Sequence, residues 1–345
     1  MRDMKPRTTR VLFTAAVAIL TALGVSAAEY KVTMQALPHE GATSISMDYI
    51  AFDPSTGFVW APAGNTAAVD VVDTAAGTVK QITGFKTMEM GTGERKRTAG
   101  PSSATVGAGT VYVGNRGDSS VCAFDAKTFA KGVCHPFDSM PDGILYVAAT
   151  KEVWVTTPRD KSVRILDAAT LAEKSKLTFD GGPEGFAVDG KRGRFYTNLE
   201  DKDVTLAIDL HSHKTVATWP STCGKDGPHG LRDDEKSGYL FVACSTRAEV
   251  LDAGHDGAVL SSIDTGDGVD DIDYAPSTHM LYVGASRAGQ LTVAAVDSHG
   301  KLSLVAKVPT HEGARNPAVT TNGTVYLAHS GFGNLTDLVV VTPVK

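Results

Sequence analysis

After residue 30 the chain lacks any long run of Ala, Glu, Lys and Leu of the kind that forms helices. Short Val, Tyr and Thr runs broken by Gly, Asp and Asn take their place, which leaves an all-β chain. No apolar stretch after Val25 approaches the ~20 residues needed to span a membrane. No CxxC pair or Cys/His spacing offers a structural zinc site. G-x-S-x-G, HExxH and Walker-type loops are also missing, so no nucleophile, zinc-hydrolase or phosphate-loop motif announces a reaction. Positive charge is in deficit, with 33 Lys+Arg against 39 Asp+Glu.

What is present begins with a leader. Arg2, Lys5, Arg7 and Arg10 precede an apolar core, Val11–Val25, and Ser26–Ala28 supplies small residues for cleavage. Residues 1–28 are therefore expected to be a signal peptide and 29–345 a single mature domain, periplasmic or secreted, with no membrane span after cleavage. Removing the leader leaves 29 Lys+Arg against 38 Asp+Glu, so the net charge moves from −6 to −9. Nucleic acid is not an expected partner of so acidic a chain. Four cysteines in an exported chain imply two disulfides. Cys122 and Cys134 sit in neighbouring strand-like runs and form the natural pair, leaving Cys223 with Cys244, although three pairings are formally open.

The chain repeats itself. Aromatic residues at Trp60, Tyr112, Trp154, Tyr196, Phe241, Tyr282 and Tyr326 are spaced by 52, 42, 42, 45, 41 and 44. A second marker, the Asp opening a tight turn, recurs at Asp73, Asp125, Asp167, Asp209, Asp252 and Asp297. Such a period, with four short strands per unit, predicts propeller blades, and seven markers predict seven. The turn aspartates read as structural, each carboxylate accepting backbone N–H bonds. The last unit stops one strand short, while Tyr30–Leu37 is an alternating segment without a partner. Pairing the two would close the ring and remove two open edges. A monomer is expected.

The strand b signatures "YVGN" (112–115), "WVTT" (154–157), "FYTN" (195–198) and "YVGA" (282–285) carry a family likeness. With the Asp turns that follow them, they resemble the YVTN-repeat β-propeller family over essentially the whole mature chain. That resemblance implies an exported bacterial binding or surface protein. It also points, more distantly, to lactone-hydrolysing propellers.

In a propeller the innermost strand, a, lines the central channel. Counting back from the strand b marker brings seven polar residues to the start of strand a: Asp48, Ser102, Asp142, Glu184, His229, Asp270 and Asn316. In blades 2 to 5 each follows a proline, which stiffens the approach without needing a hydrogen bond. Carboxylates crowded in this way raise one another's pKa unless a cation intervenes. Asp48, Asp142, Glu184 and Asp270 are thus candidate ligands for Ca²⁺, Mg²⁺ or Mn²⁺. His229 and Glu184 are the candidate general acid–base groups. Arg116, Arg159, Arg247 and Arg287 each follow strand b by four to six residues, and Lys86, Arg95, Lys96 and Arg97 lie in the longest d–a loop. Guanidinium groups on one rim predict an anionic ligand. Two functions follow: binding of an anionic small molecule, glycan or peptide on the loop-rich face, or metal-assisted lactone hydrolysis. Glu184, Asp270 and Asn316 loosely match the mixed Glu, Asp and Asn ligand pattern that a resemblance to gluconolactonases implies.

Overall fold

The aromatic period is the spacing of four-stranded antiparallel sheets. A computed structural model describes residues 29–93, 96–329 and 334–344. It contains seven such sheets, six of them ordered from the channel outward in chain sequence, as in a β-propeller. Among the described residues, helical structure is confined to three-residue 3₁₀ turns. The leader expected at 1–28 and Arg95 lie outside the described residues.

The ring closes as the unpaired segment implied. Tyr30–Gln35 becomes the outermost strand of blade seven, antiparallel to Leu338–Pro343, with Tyr30 opposite Pro343 and Gln35 opposite Leu338. First and last strands thereby share one sheet, and Leu338–Pro343 is paired on both sides instead of being left as an edge. The ten-residue excess in the first interval forms a small hairpin of Met88–Met90 against Arg97–Ala99.

The markers are buried where blades face each other. Trp60, Trp154, Tyr196 and Phe241 are at most 1% exposed. Trp154 of blade 3 meets Phe195 of blade 4 at 4.5 Å between ring centroids, and Phe241 of blade 5 meets Tyr274 of blade 6 at 4.4 Å. The turn aspartates act as expected. The Oδ1 of Asp125, Asp167 and Asp209 accepts two backbone N–H bonds from the residues two and three places on. Both expected disulfides are formed, Cys122–Cys134 across adjacent strands and Cys223–Cys244 between a d–a loop and the end of a strand b.

The inner strands carry the detail that positions the site. Strand pairing slips at Pro101/Ser103, Pro183/Phe186, Pro228/Leu231, Val269/Ile272 and Arg315/Pro317. Ser102, Glu184, His229, Asp270 and Asn316 each sit inside one of these bulges. A bulge frees a residue from the ladder and re-aims its side chain, so the hub groups point inward because the strand is irregular there. The glycine after the hub residue in "PDG", "PEG" and "PHG" allows neighbouring inner strands to touch: Cβ atoms added at Gly143, Gly185 and Gly230 would overlap Phe186, His229 and Asp271 respectively.

Candidate functional site

At the mouth formed by the d–a and b–c loops, five blades contribute to one chain of ion pairs. Arg116 leaves its b–c loop and turns into the hub, where Nη2 lies 2.6 Å from Asp48 Oδ2 and also donates to Asp142. From the other side Arg315 reaches Asp48 at 3.3 Å and Asp270 at 2.9 Å. The Asn316 amide donates to both carboxylates, at 2.9 Å to Asp48 Oδ1 and 2.8 Å to Asp270 Oδ2. Asn316 is held with φ at +43°, a left-handed conformation that asparagine tolerates better than most residues. Met90 and Arg97 of the extra hairpin share a recess of about 30 Å³ with Asp48, Ser102 and Arg116, so this arc is capped.

Blades 4 and 5 form the remaining arc, and it is built differently. His229 Nε2 lies 3.0 Å from Ser245 Oγ, and Nδ1 lies 3.5 Å from Glu200 Oε1. Glu184 stands beside them, with no ion pair or hydrogen bond among the described residues.

Burial and mutual repulsion govern the charges. Burial pushes Asp48 up to about 6, with Asp270 and Asp142 adding to the rise against the pull of Arg116 and Arg315. Burial also drives Glu184 well above the usual carboxylate range, reinforced by Asp142, Asp270 and Asp48. Asp270 goes the other way: burial opposes its charge, but Arg315, the Asn316 amide and His229 together hold it below its ordinary value.

The structure brings Asp48, Asp142, Glu184, His229, Asp270, Asn316 and Arg116 to one hub. Ser102 joins them, 5% exposed and with its hydroxyl unpartnered. The other three arginines do not form a free cationic layer. Arg247 pairs with Glu249 at 2.8 Å, Arg287 with Asp267 at 3.4 Å, and Arg159 is solvent-exposed. Arg116 is also committed to carboxylates, which leaves Arg159 as the rim arginine without an ion pair among the described residues. The carboxylates are likewise not gathered as a cage. Among the described residues, Cys223, Cys244 and Glu249 alone bring three donor atoms within 4.8 Å of one another, and both cysteines are spent in a disulfide.

A second opening lies at the other end of the channel. A cavity of about 750 Å³ opens among the a–b turns, with Tyr49, Phe186, Arg232, Asp233 and Asp273 in its wall. Tyr49 and Phe186 meet at 5.3 Å between centroids. Arg232 is occupied by Asp271 at 2.8 Å and Asp273 at 3.4 Å. Asp233 has a buried carboxylate oxygen without a partner, and burial, with Asp189 and Glu235 nearby, pushes it up to about 8. Sequence reasoning missed Arg315, because the bulge places two consecutive side chains at the hub. It also missed Arg232 and Asp233, whose positions inside strand a gave no sign of a widening channel.

These features define a seven-bladed β-propeller with a polar hub. No family model and no curated protein sequence matches the chain, so the YVTN resemblance rests on its motifs alone. Solved structures match its fold. A chain of a mitotic checkpoint complex aligns with a TM-score of 0.71 at 13% identity, covering 98% of each chain. A streptogramin B lyase gives 0.71 at 13%, over 91% of this chain and 98% of that one. A chain of Kuenenia stuttgartiensis hydrazine synthase gives 0.71 at 15%, over 89% and 97%. At such identities the likeness concerns architecture only.

Proposed function

We propose that this is an exported binding propeller that holds a small molecule in its central channel, at the a–b turn mouth. The observation that carries this reading is the cavity of about 750 Å³, a size suited to a small ligand and not to a macromolecular surface. Its walls set the chemistry. Tyr49 and Phe186 offer aromatic faces to an apolar body. Asp233 lines the same wall, and its carboxyl group suits a hydrogen-bond donor, best an ammonium group. Arg232 is already neutralised by two carboxylates, so an anion gains nothing there. The ligand class is therefore a cationic or donor-bearing amphiphile. Two disulfides support export, since such bonds persist in oxidising compartments. The spread-out hub carboxylates favour binding over metal-assisted lactone hydrolysis.

An ammonium seated beside Asp233 must drive that group to its ionised form, so binding releases a proton near neutral pH. Calorimetry of phenethylamine in two buffers of different ionisation enthalpy measures that release. Binding without proton release, or no binding in a series of such amines, would remove this reading.

A further inference from the structure

We infer that the loop-side mouth carries a second activity, a serine acyl-transfer site built from Ser245, His229 and Glu200, with hydrolysis of small neutral or cationic esters as its reaction. Ser245 comes from a b–c turn, His229 from the inner strand of the same blade and Glu200 from the 3₁₀ turn of the blade before, and they meet in the order such chemistry needs. Ser245 Oγ is 3.0 Å from His229 Nε2, and His229 Nδ1 is 3.5 Å from Glu200 Oε1. A nucleophile, a base and a group that orients the base, linked in series, are recognised by this geometry and not by sequence position.

Each member is fixed through its backbone. The Ser245 carbonyl accepts N–H bonds from Gly268 and Val269 at 3.0 and 3.1 Å. The preceding residue, Cys244, is tied to Cys223. The His229 carbonyl accepts from the Asn198 amide at 2.7 Å, and the residue sits in the bulge between Pro228 and Leu231. The Glu200 N–H bonds to the Gly182 carbonyl at 3.3 Å. Two of the ring contacts are thus held by rigid neighbours, as a working site requires. The mouth is also reachable here, because the hairpin recess lies on the Asp48–Arg116 arc, whereas His229 keeps 15% of its side chain exposed.

Glu200 lies 3.5 Å from Nδ1, so the tautomer with its proton on Nδ1 leaves Nε2 free to accept the Ser245 proton. The hydroxyl oxygen then attacks the ester carbonyl carbon, and its proton passes to Nε2. Collapse of the tetrahedral adduct breaks the carbon–oxygen bond to the alcohol, which leaves with that proton. Water attacks the acyl-serine, gives its proton to Nε2 and releases the carboxylic acid, restoring the serine. One ester and one water become one acid and one alcohol. Asp270 places negative charge near the imidazole, which stabilises the imidazolium formed on the way and disfavours anionic substrates. Glu200 is the positioning residue. Its side chain is 48% exposed, so its removal costs less than loss of the serine or histidine.

A fluorophosphonate probe with the disulfide-intact mature chain tests this, with adduct mass, peptide mapping and p-nitrophenyl acetate turnover as readouts. The expected result is one adduct per chain, on Ser245. Ser245→Ala and His229→Gln lose labelling and turnover by at least about 100-fold. Glu200→Gln slows labelling by about tenfold and Glu200→Asp recovers most of the rate; a merely structural loss would leave the two variants alike. Ser245→Cys, labelled by iodoacetamide, repeats the test should the alanine variant melt early. An unlabelled Ser245 in folded wild-type protein, or turnover that persists in Ser245→Ala, would overturn the inference. Either result leaves the cavity reading untouched, since that site lies at the opposite mouth.

Discussion

Gly185 lies so close beneath the carbonyl oxygen of His229 that a Cβ at that position would overlap it. The obstacle is backbone of the next blade, which cannot swing aside as a side-chain tip can. Gly185→Ala is therefore expected to destabilise the fold by about 1–3 kcal/mol, the usual cost of overpacking, and to displace His229. Urea unfolding measures the first effect, and the His229 ring chemical shifts report the second. A variant with wild-type stability would show that the blades are not packed this tightly.

Arg116 joins two carboxylates that would otherwise repel one another. Arg116→Met should cost about 3 kcal/mol, because it strands partly buried charge. Adding Asp48→Asn to that variant should recover part of the loss. A double-mutant cycle checks both statements, and purely additive effects would contradict the ion-pair chain.

The pH dependence of stability has two limbs of opposite sign. Backbone N–H bonds from Ser212 and its neighbour hold Asp209 down to about 2. Its contribution is complete above the ordinary aspartate range and is lost as pH falls through that depressed value. Burial raises Asp48 to about 6, Asp271 to about 7 and Asp233 to about 8. For these groups the folded state holds the proton more tightly, so stability declines as pH rises from about 4 to 8. The melting temperature should peak on the acid side of neutrality. Asp233→Asn should flatten the upper limb and raise the melting temperature near pH 8. A melting temperature that climbs steadily to pH 8 would contradict the assigned burial.

Removal of Tyr30–Gln35 exposes the Leu338–Pro343 edge of blade seven. The truncated chain should melt earlier and associate through that edge. Light scattering coupled to size exclusion distinguishes this from a ring that closes without the strand, which would remain a monomer.

The blades were legible because two markers recur for physical reasons. The aromatics fill the gap between sheets, and the aspartates satisfy the N–H groups of a turn. The hub was legible from the same register, so that counting back from Trp154 or Phe241 reaches Asp142 and His229. What escaped depends on contacts between distant loops. Arg116 was visible as a loop arginine, but its inward turn is set by Asp48, 68 residues earlier. Arg315 was hidden by a bulge that places it beside Asn316 at the hub. Ser245 and Glu200 belong to loops of different blades, and nothing local in either loop marks them as neighbours of one imidazole. The wide mouth lies on the face away from the longest loop, where composition offered no cue.

The most direct test of the central claim is ligand-observed NMR on the disulfide-intact protein at about pH 7 with a matched pair, phenethylamine and 3-phenylpropionate. The same measurement on Phe186→Ala and Asp233→Asn completes it. The cavity described here predicts saturation transfer to the amine, little to the carboxylate, loss of amine binding in Phe186→Ala, and loss of the preference in Asp233→Asn. Preferential binding of the carboxylate, or amine binding indifferent to both substitutions, would contradict it.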